Sequence, residues 1–576
     1  PNYLVLIAKI PKINHENLSF DYCSQFGIFL SKLSEEELNY FLIYFPAPGE
    51  IVIFILSQPD LYHTQLAHNL RADIYNQSLA INKDHLVNIH LLHEAFRHPG
   101  YWTFLAVLPE IAASNIIKPD TKWIVLCEDL SYIDLPTLVN KLATEDHKRE
   151  MYLGHPLHDQ EATIIHHFAF FENPKWFPYP MIRSGVGFTA PLIERLAKRV
   201  LQEKPATDFF IDASHELSLF IWQNMRTENN KRTPPREGVS GRKATSQWPT
   251  DEPGSSTEQS EEEDTDGAKI GKGSPPGDIQ SAKLYREKGR KFLMATAPYL
   301  CPSPISAETI FFAIKTCHKF HKERIPTIER TWGRYAIHKR FFSDVGDERI
   351  PTVATGVPNT ETGHCGKTLS IFKLALVEVE EMNRRLENPV KWIFLSDDDT
   401  LLSVSSVCDI LGCFNAEEDV YLGERYGYRL HSKDGFNYIT GGGGIAFSLP
   451  TVKKIVKHCT CPTISSPDDM IVGVCLQRLG IKAIHSSRFH QARPPDYSAK
   501  LLAIEQPVSF HKFWQIDPMR VYQKWFRKAD DALRTGLKPE CDINASPCTR
   551  VRSLKNGKTN GDKVVTRNTR PRHIDL

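Results

Sequence analysis

No run of about 18 apolar residues, the length a helix needs to cross a bilayer, occurs in the sequence. The nearest approach, LNYFLIYFPAPGEIVIFILS (38–57), is interrupted by Pro46, Pro48 and Glu50. That pattern predicts two strands, or a short helix and a strand, and no membrane span. Charge of one sign is also lacking, since 70 Lys and Arg stand against 69 Asp and Glu in 576 residues. Without a global basic field, neither nucleic acid nor an anionic membrane is expected as the main partner. Zinc-type cysteine spacing is missing too: the closest pair among the twelve cysteines, Cys459 and Cys461, has a single residue between, where a zinc site wants CxxC or comparable Cys/His spacing. Ten of the cysteines lie beyond residue 300, and disulfides in an oxidising compartment fit them better. GHCGKT (363–368) is not a phosphate-binding P-loop, because Gly363 and Lys367 stand too close together.

What is present divides the chain. Residues 227–280 are rich in Ser, Thr, Gly, Pro and charge and almost free of aliphatics. Such a stretch cannot bury enough surface to offset its chain entropy, which predicts a disordered linker over 227–284. The segments around it are an extension of unassigned role (1–48), a first domain (49–226), a second domain (285–535) and a basic, disordered tail (536–576). The sequons Asn17–Ser19, Asn76–Ser78 and Asn544–Ser546 agree with a secretory route. So does the terminal HIDL, a loose variant of the KDEL-type retrieval address; the endoplasmic reticulum lumen is the expected location.

The two domains repeat one phrase, KWIVLCEDLS (122–131) and KWIFLSDDDT (391–400). At the same offset Tyr152-Leu153-Gly154 matches Tyr421-Leu422-Gly423. Between these blocks Leu135, Leu138 and Leu142 fall opposite Val404, Val407 and Leu411, at the spacing of a helix's buried face. SGVGFTAPLIERLAKR (184–199) likewise parallels GGGGIAFSLPTVKKIVKH (441–458). The expectation is a duplicated α/β domain with a mainly parallel sheet and its sites at the strands' carboxyl ends.

Three adjacent carboxylates, Asp397, Asp398 and Asp399, follow the apolar run Ile393-Phe394-Leu395. Alternate residues face one side, so Asp397 and Asp399 suit a hard divalent ion, Mg²⁺ or Mn²⁺, that also binds phosphates. The plainer reading is a solvated acidic turn. Four glycines in TGGGGIAF (440–447) permit close approach of a ligand or a loop. Asp468 and Asp469 in SPDDMIVGVCLQRLG (466–480) are helix caps or, beside an acceptor hydroxyl, a general base. His485, His490 and Arg493 gather in IHSSRFHQARPPDY (484–497).

DDDT, GERYGY (423–428), YITGGGG (438–444), PDDM (467–470) and FHQARPPDY (489–497) together resemble the fringe and β-1,3-galactosyltransferase superfamily, glycosyltransferase family 31. Within it the resemblance is to the branch that glucosylates O-linked fucose, and it covers roughly 50–226 and 300–525. It implies two tandem GT-A-like (Rossmann-like) domains, the first degenerate. The implied activity is inverting, Mn²⁺- or Mg²⁺-dependent transfer from UDP-glucose to O3 of fucose on thrombospondin type 1 repeats. Carried onto this chain, Asp397 and Asp399 are metal ligands, His490 completes the metal site, and Asp469 is the base, with Asp468 its alternative one residue away. Arg324, Arg330, Trp332, Asp398, Gly442 and Gly443 fall on the donor side, and Arg425, Tyr426, Arg493 and His511 on the acceptor or phosphate side. Cys365 becomes a disulfide partner, with Cys317 the candidate mate.

In the first copy Leu130 stands where Asp399 stands in the second, while Glu128 and Asp129 remain. The glycine block shrinks to Ser184-Gly185-Val186-Gly187, and Asp208, Asp212 and Glu216 lie near the PDDM position without a clear match. That domain is expected either to grip a protein acceptor or only to stabilise its neighbour. Two further readings are transfer of another sugar (N-acetylglucosamine or galactose) and an inactive lumenal binding protein; the intact DDD, PDDM and FH set argues against the latter.

Overall fold

A computed structural model describes residues 46–166, 174–203, 207–230, 301 and 303–535. The expected extension (all but its last residues), almost all of the linker and the tail lie outside the described residues. The helix Ala213–Asn230 runs past the expected domain end at 226.

The chain forms a mixed α/β structure with several sheets. In the first half Asn88–Leu91, Ile51–Leu56, Trp123–Glu128, Val186–Thr189 and Tyr152–Gly154 lie side by side in that order. The first three are parallel, and Val186–Thr189 runs against both of its neighbours. In the second half the central strands His338–Ser343, Ile310–Lys315, Trp392–Asp397, Ile445–Ser448 and Tyr421–Gly423 take the same order and directions. Thr352–Ala354 extends that sheet at one edge and Ile484–His485 at the other. The registers correspond as well. Trp123 pairs with Ile51 and Thr189, and Trp392 pairs with Ile310 and Ser448.

Both sheets are buried on both faces, as their apolar strands require. In Ile310–Lys315 and Trp392–Asp397, Phe312, Ile314 and Phe394 pack into one core. The alternate residues Phe311, Ala313, Ile393 and Leu395 pack into the other. Ile51–Leu56 and Trp123–Glu128 divide in the same way. The helices Leu135–Leu142 and Val404–Leu411 bury the matched residues of the sequence pattern. Asp134 and Ser403 cap them by accepting hydrogen bonds from the Thr137 and Ser406 amides, which satisfies donors that have no partner inside the helix.

Disulfides join Cys301 to Cys413, Cys365 to Cys461 and Cys459 to Cys475. The expected Cys365–Cys317 pair is therefore corrected: Cys317 is a buried free thiol, and the Cys459–Cys461 doublet sends its two sulfurs to different partners. No helix among the described residues is long and apolar enough to cross a membrane.

The halves are joined by hydrogen bonds. Phe209–Phe210 of the first half adds as an antiparallel strand to Arg425–Tyr428 of the second, Phe210 opposite Gly427. Trp102 Nε1 donates to Asn437 Oδ1 at 2.8 Å, and Gln58 Oε1 accepts from the His485 amide at 2.7 Å.

Candidate active site

The strand Trp392–Asp397 stays buried as far as Ser396 and releases its acidic run at its carboxyl end. Thr400–Leu402 then forms a short strand whose antiparallel partner is Ser509–His511, with Thr400 opposite His511. This long-range pairing brings the His511 ring to the acidic turn. Its Nε2 lies 3.1 Å from Asp399 Oδ1 and 3.7 Å from Asp397 Oδ2. Its Nδ1 lies 3.0 Å from the Gln491 carbonyl, a partner that fixes the tautomer and leaves Nε2 free to ligate. Asp397, Asp399 and His511 offer ligand atoms within 4.8 Å of one another. Two carboxylate oxygens and an imidazole nitrogen form a donor set that fits a divalent cation.

The three aspartates separate as alternation demands. Asp398 turns inward, accepting from Thr316 Oγ1 at 2.6 Å and Arg324 Nη1 at 2.7 Å, and burial pushes its carboxyl up to about 6. Burial also opposes ionisation of Asp399, but His511 and Arg324 outweigh it and hold that carboxyl at about 2. Asp397 faces Lys315 Nζ at 3.0 Å. The same ammonium reaches Asp468 Oδ2 at 2.7 Å, where Thr368 Oγ1 also donates at 2.7 Å. Burial disfavours charge on Lys315, yet Asp397 and Asp468 more than compensate and keep it protonated.

Asp468 and Asp469 open the helix Asp468–Arg478, and they differ sharply. Burial would raise Asp468, but Lys315 lowers it below the ordinary range. Among the described residues Asp469 has no such cation bonded to it and accepts only from the Met470 amide. Burial, and then the Asp468 charge, push its carboxyl up to about 7. Lys315, Asp397, Gly441, Asp468 and Asp469 line one small cavity.

Several expected residues sit elsewhere. His490 does not reach the aspartates; its Nδ1 lies 3.0 Å from Ser509 O and its Nε2 3.3 Å from Glu505. The third donor position is filled by His511, which corrects that expectation. Trp332 is wholly buried and supports the acidic turn from behind, its Nε1 donating to Thr400 O at 3.0 Å. Arg330 is exposed at the end of the helix Arg324–Arg330, whereas Arg324 reaches Asp399 at 3.1 Å. Gly442 makes room for His511: a Cβ there would lie 2.1 Å from the ring's Nδ1. The Gly443 amide donates to Gln491 Oε1 at 3.1 Å. Arg425 points between the two halves, hydrogen-bonded to Gln58 at 3.1 Å. Tyr426 is buried edge-on against Tyr438. Arg493 pairs with Asp496 at 2.9 Å and Glu161 at 3.3 Å.

Sequence reasoning missed Lys315, Thr316, Thr368 and Gln491. Only the first left a signal, a lysine ending the otherwise apolar strand IFFAIK. A charge at that point is costly unless it is paired.

An α/β sheet ending in a carboxylate–imidazole cluster, with a second carboxylate pair opposite, has the form of a group-transfer enzyme. Residues 305–532 match the family model described as Fringe-like. A β-1,3-glucosyltransferase of Mus musculus is 37% identical over 487 residues, covering 84% of this chain and 88% of its own. One of Homo sapiens is 36% identical over 486 residues, covering 84% and 86%. The β-1,3-N-acetylglucosaminyltransferase lunatic fringe of Gallus gallus is 28% identical over 206 residues, 32% of this chain and 56% of its own. The chain belongs to the fringe-like family and, within it, to the β-1,3-glucosyltransferases, hexosyltransferases that use a UDP-sugar.

Proposed function

We propose that the chain transfers glucose from UDP-glucose to O3 of O-linked fucose on thrombospondin type 1 repeats, with inversion, in the endoplasmic reticulum lumen. The observation that carries this reading is the division of labour between the two acidic groups. Asp397, Asp399 and His511 form a donor set for a cation, while Asp469 is a carboxyl near neutrality in the same cavity as Asp397. The mixed oxygen and nitrogen donors suit Mn²⁺, with Mg²⁺ as the alternative. When bound, the ion neutralises charge growing on the departing diphosphate.

The chain's own residues supply the rest. Asp469 accepts the proton from the fucose O3 hydroxyl as that oxygen attacks the anomeric carbon. Lys315 holds Asp468 ionised, and the Asp468 charge helps keep Asp469 basic. Arg324 and Thr316 fix the inward Asp398 and so aim its two neighbours at the cavity. One inverting displacement needs no covalent nucleophile, and Cys365 is already engaged in a disulfide.

The first half reads as a degenerate copy of this domain. Its sheet repeats the strand order, but buried Leu130 replaces Asp399, and Arg183 Nε donates to Glu128 at 2.8 Å. The reading is tested by offering purified protein UDP-glucose, UDP-galactose and UDP-N-acetylglucosamine against fucosylated thrombospondin and EGF repeats. Transfer restricted to glucose on the thrombospondin repeat is expected; preference for another donor or for the EGF repeat contradicts it.

A further inference from the structure

A cavity of about 200 Å³ lies between the two halves, and no step of the transfer uses it. Its floor is the carboxyl end of two parallel strands of the first half, Leu56 to Gln58 and Glu128 to Leu130. Open α/β sheets place their ligands at such ends. Its roof comes from the second half, including Glu424, Arg425, Tyr497 and Glu505.

The polar lining is not fully satisfied. Asp129 is 8% exposed, and its carboxylate accepts no hydrogen bond among the described residues. Burial accordingly pushes that carboxyl up to about 7. Arg425 is 6% exposed; it donates through Nη1 to Gln58, hydrogen-bonds Tyr101 and lies 4.5 Å over the Trp102 ring, while its Nε has no partner among the described residues. Buried polar atoms without partners are uncommon and call for an explanation. A ligand with hydroxyl groups supplies one: hydroxyls donate to the carboxylate and accept from the guanidinium.

Charge and size narrow the class. Five acidic side chains line the cavity (Glu128, Asp129, Asp212, Glu424 and Glu505), with three histidines (His63, His485 and His490) and two guanidiniums (Arg183 and Arg425); the acidic groups outnumber the permanent cations, which disfavours a phosphate or nucleotide. The carboxylates are too dispersed for a metal. Among the described residues only Asp159–His166–His215 and Asp397–Asp399–His511 gather donors tightly enough, and neither set includes them. The volume is below the roughly 300–1,000 Å³ of sites for larger ligands. Trp102 and Tyr497 add aromatic surface to the lining.

We propose that this interdomain cavity binds one neutral sugar ring, at a site distinct from the transfer site. Gln491 marks the partition between the two. Its amide donates to Glu424 on the cavity side, and its carbonyl faces His511 on the other. The same ring chemistry belongs to a free monosaccharide and to a sugar residue within a glycan, so both are tested.

The test is saturation-transfer NMR on the full chain in EDTA without nucleotide. The probes are glucose, fucose, mannose, galactose and N-acetylglucosamine, each also as its methyl glycoside. At least one sugar is expected to bind; capture of the methyl glycosides assigns the site to a glycan residue, and capture of the free sugars alone to a monosaccharide. Asp129→Asn keeps the shape of the side chain and should weaken binding by about tenfold or more, because a charged hydrogen bond is lost. Ala213→Leu, which fills the cavity from its wall, should also reduce binding, while Asp399→Ala should leave it intact. The proposal is overturned by no binding at tens of millimolar sugar, by undiminished binding in both cavity variants, or by loss of binding in Asp399→Ala.

Discussion

His511 Nε2 lies 3.1 Å from Asp399 Oδ1, although 112 residues separate them in the chain. His490, three residues before Arg493 of the motif's arginine-proline turn, is turned away from the aspartates towards Glu505. The proposed metal site thus depends on the pairing of Ser509–His511 with Thr400–Leu402. His511→Ala should lower Mn²⁺ affinity by about 100-fold or more, beyond what loss of a supporting hydrogen bond costs. His490→Gln should leave it within a few-fold of wild type. Titration calorimetry with Mn²⁺ checks both, and the reverse ranking would return the ligand role to His490.

The choice between Asp469 and Asp468 is open to kinetics. Asp469→Asn should lower kcat by about 10²–10⁴, the usual contribution of a general base, with UDP-glucose affinity little changed. A comparable loss in Asp468→Asn with full activity in Asp469→Asn would move the role by one residue.

The pH profile follows from the same pair. A base works only when deprotonated, and burial with the Asp468 charge puts the Asp469 carboxyl at about 7. kcat/KM should therefore rise with pH through about 7 and level off above it, with a lower midpoint once a cation offsets Asp397. In Asp468→Asn the limb should shift to lower pH, because the like charge that raises Asp469 is gone. An unmoved limb would mean that another group titrates.

Much of this was legible in the sequence, and the gaps have a common cause. KWIFLSDDDT announces a buried strand and a turn, because both are local patterns: an apolar run, then alternating carboxylates. The helix faces of Leu135–Leu142 and Val404–Leu411 were readable for the same reason. The proposed third ligand was not, since Phe-His occurs at both 489–490 and 510–511 and only distant strand pairing selects between them. Cys365 likewise finds Cys461, 96 residues away, and no local rule favours that partner over Cys317. Lys315 was missed because its partners, Asp397 and Asp468, are brought to it by the sheet and by a helix start.

Stability should carry its own pH signature at the boundary between the halves. Burial pushes the Glu424 carboxyl from 4.5 up to about 8. Between those values the folded chain keeps a proton that the unfolded chain releases, so stability falls as pH rises through this window. Glu424→Gln removes that loss while keeping an acceptor for the Gln491 amide. The variant's Tm should gain on wild type by a few degrees from the acid end of the window to its alkaline end. A gap that stays constant with pH would contradict the assignment.

Intact mass reads out whether a cation held by Asp397, Asp399 and His511 serves glucosyl transfer. A fucosylated thrombospondin repeat is incubated with UDP-glucose and either wild type or Asp399→Ala, in Mn²⁺ and in EDTA. Addition of one hexose is expected by wild type with Mn²⁺ alone, and none in the other three reactions. Hexose addition by Asp399→Ala, or by wild type in EDTA at an undiminished rate, would contradict that role.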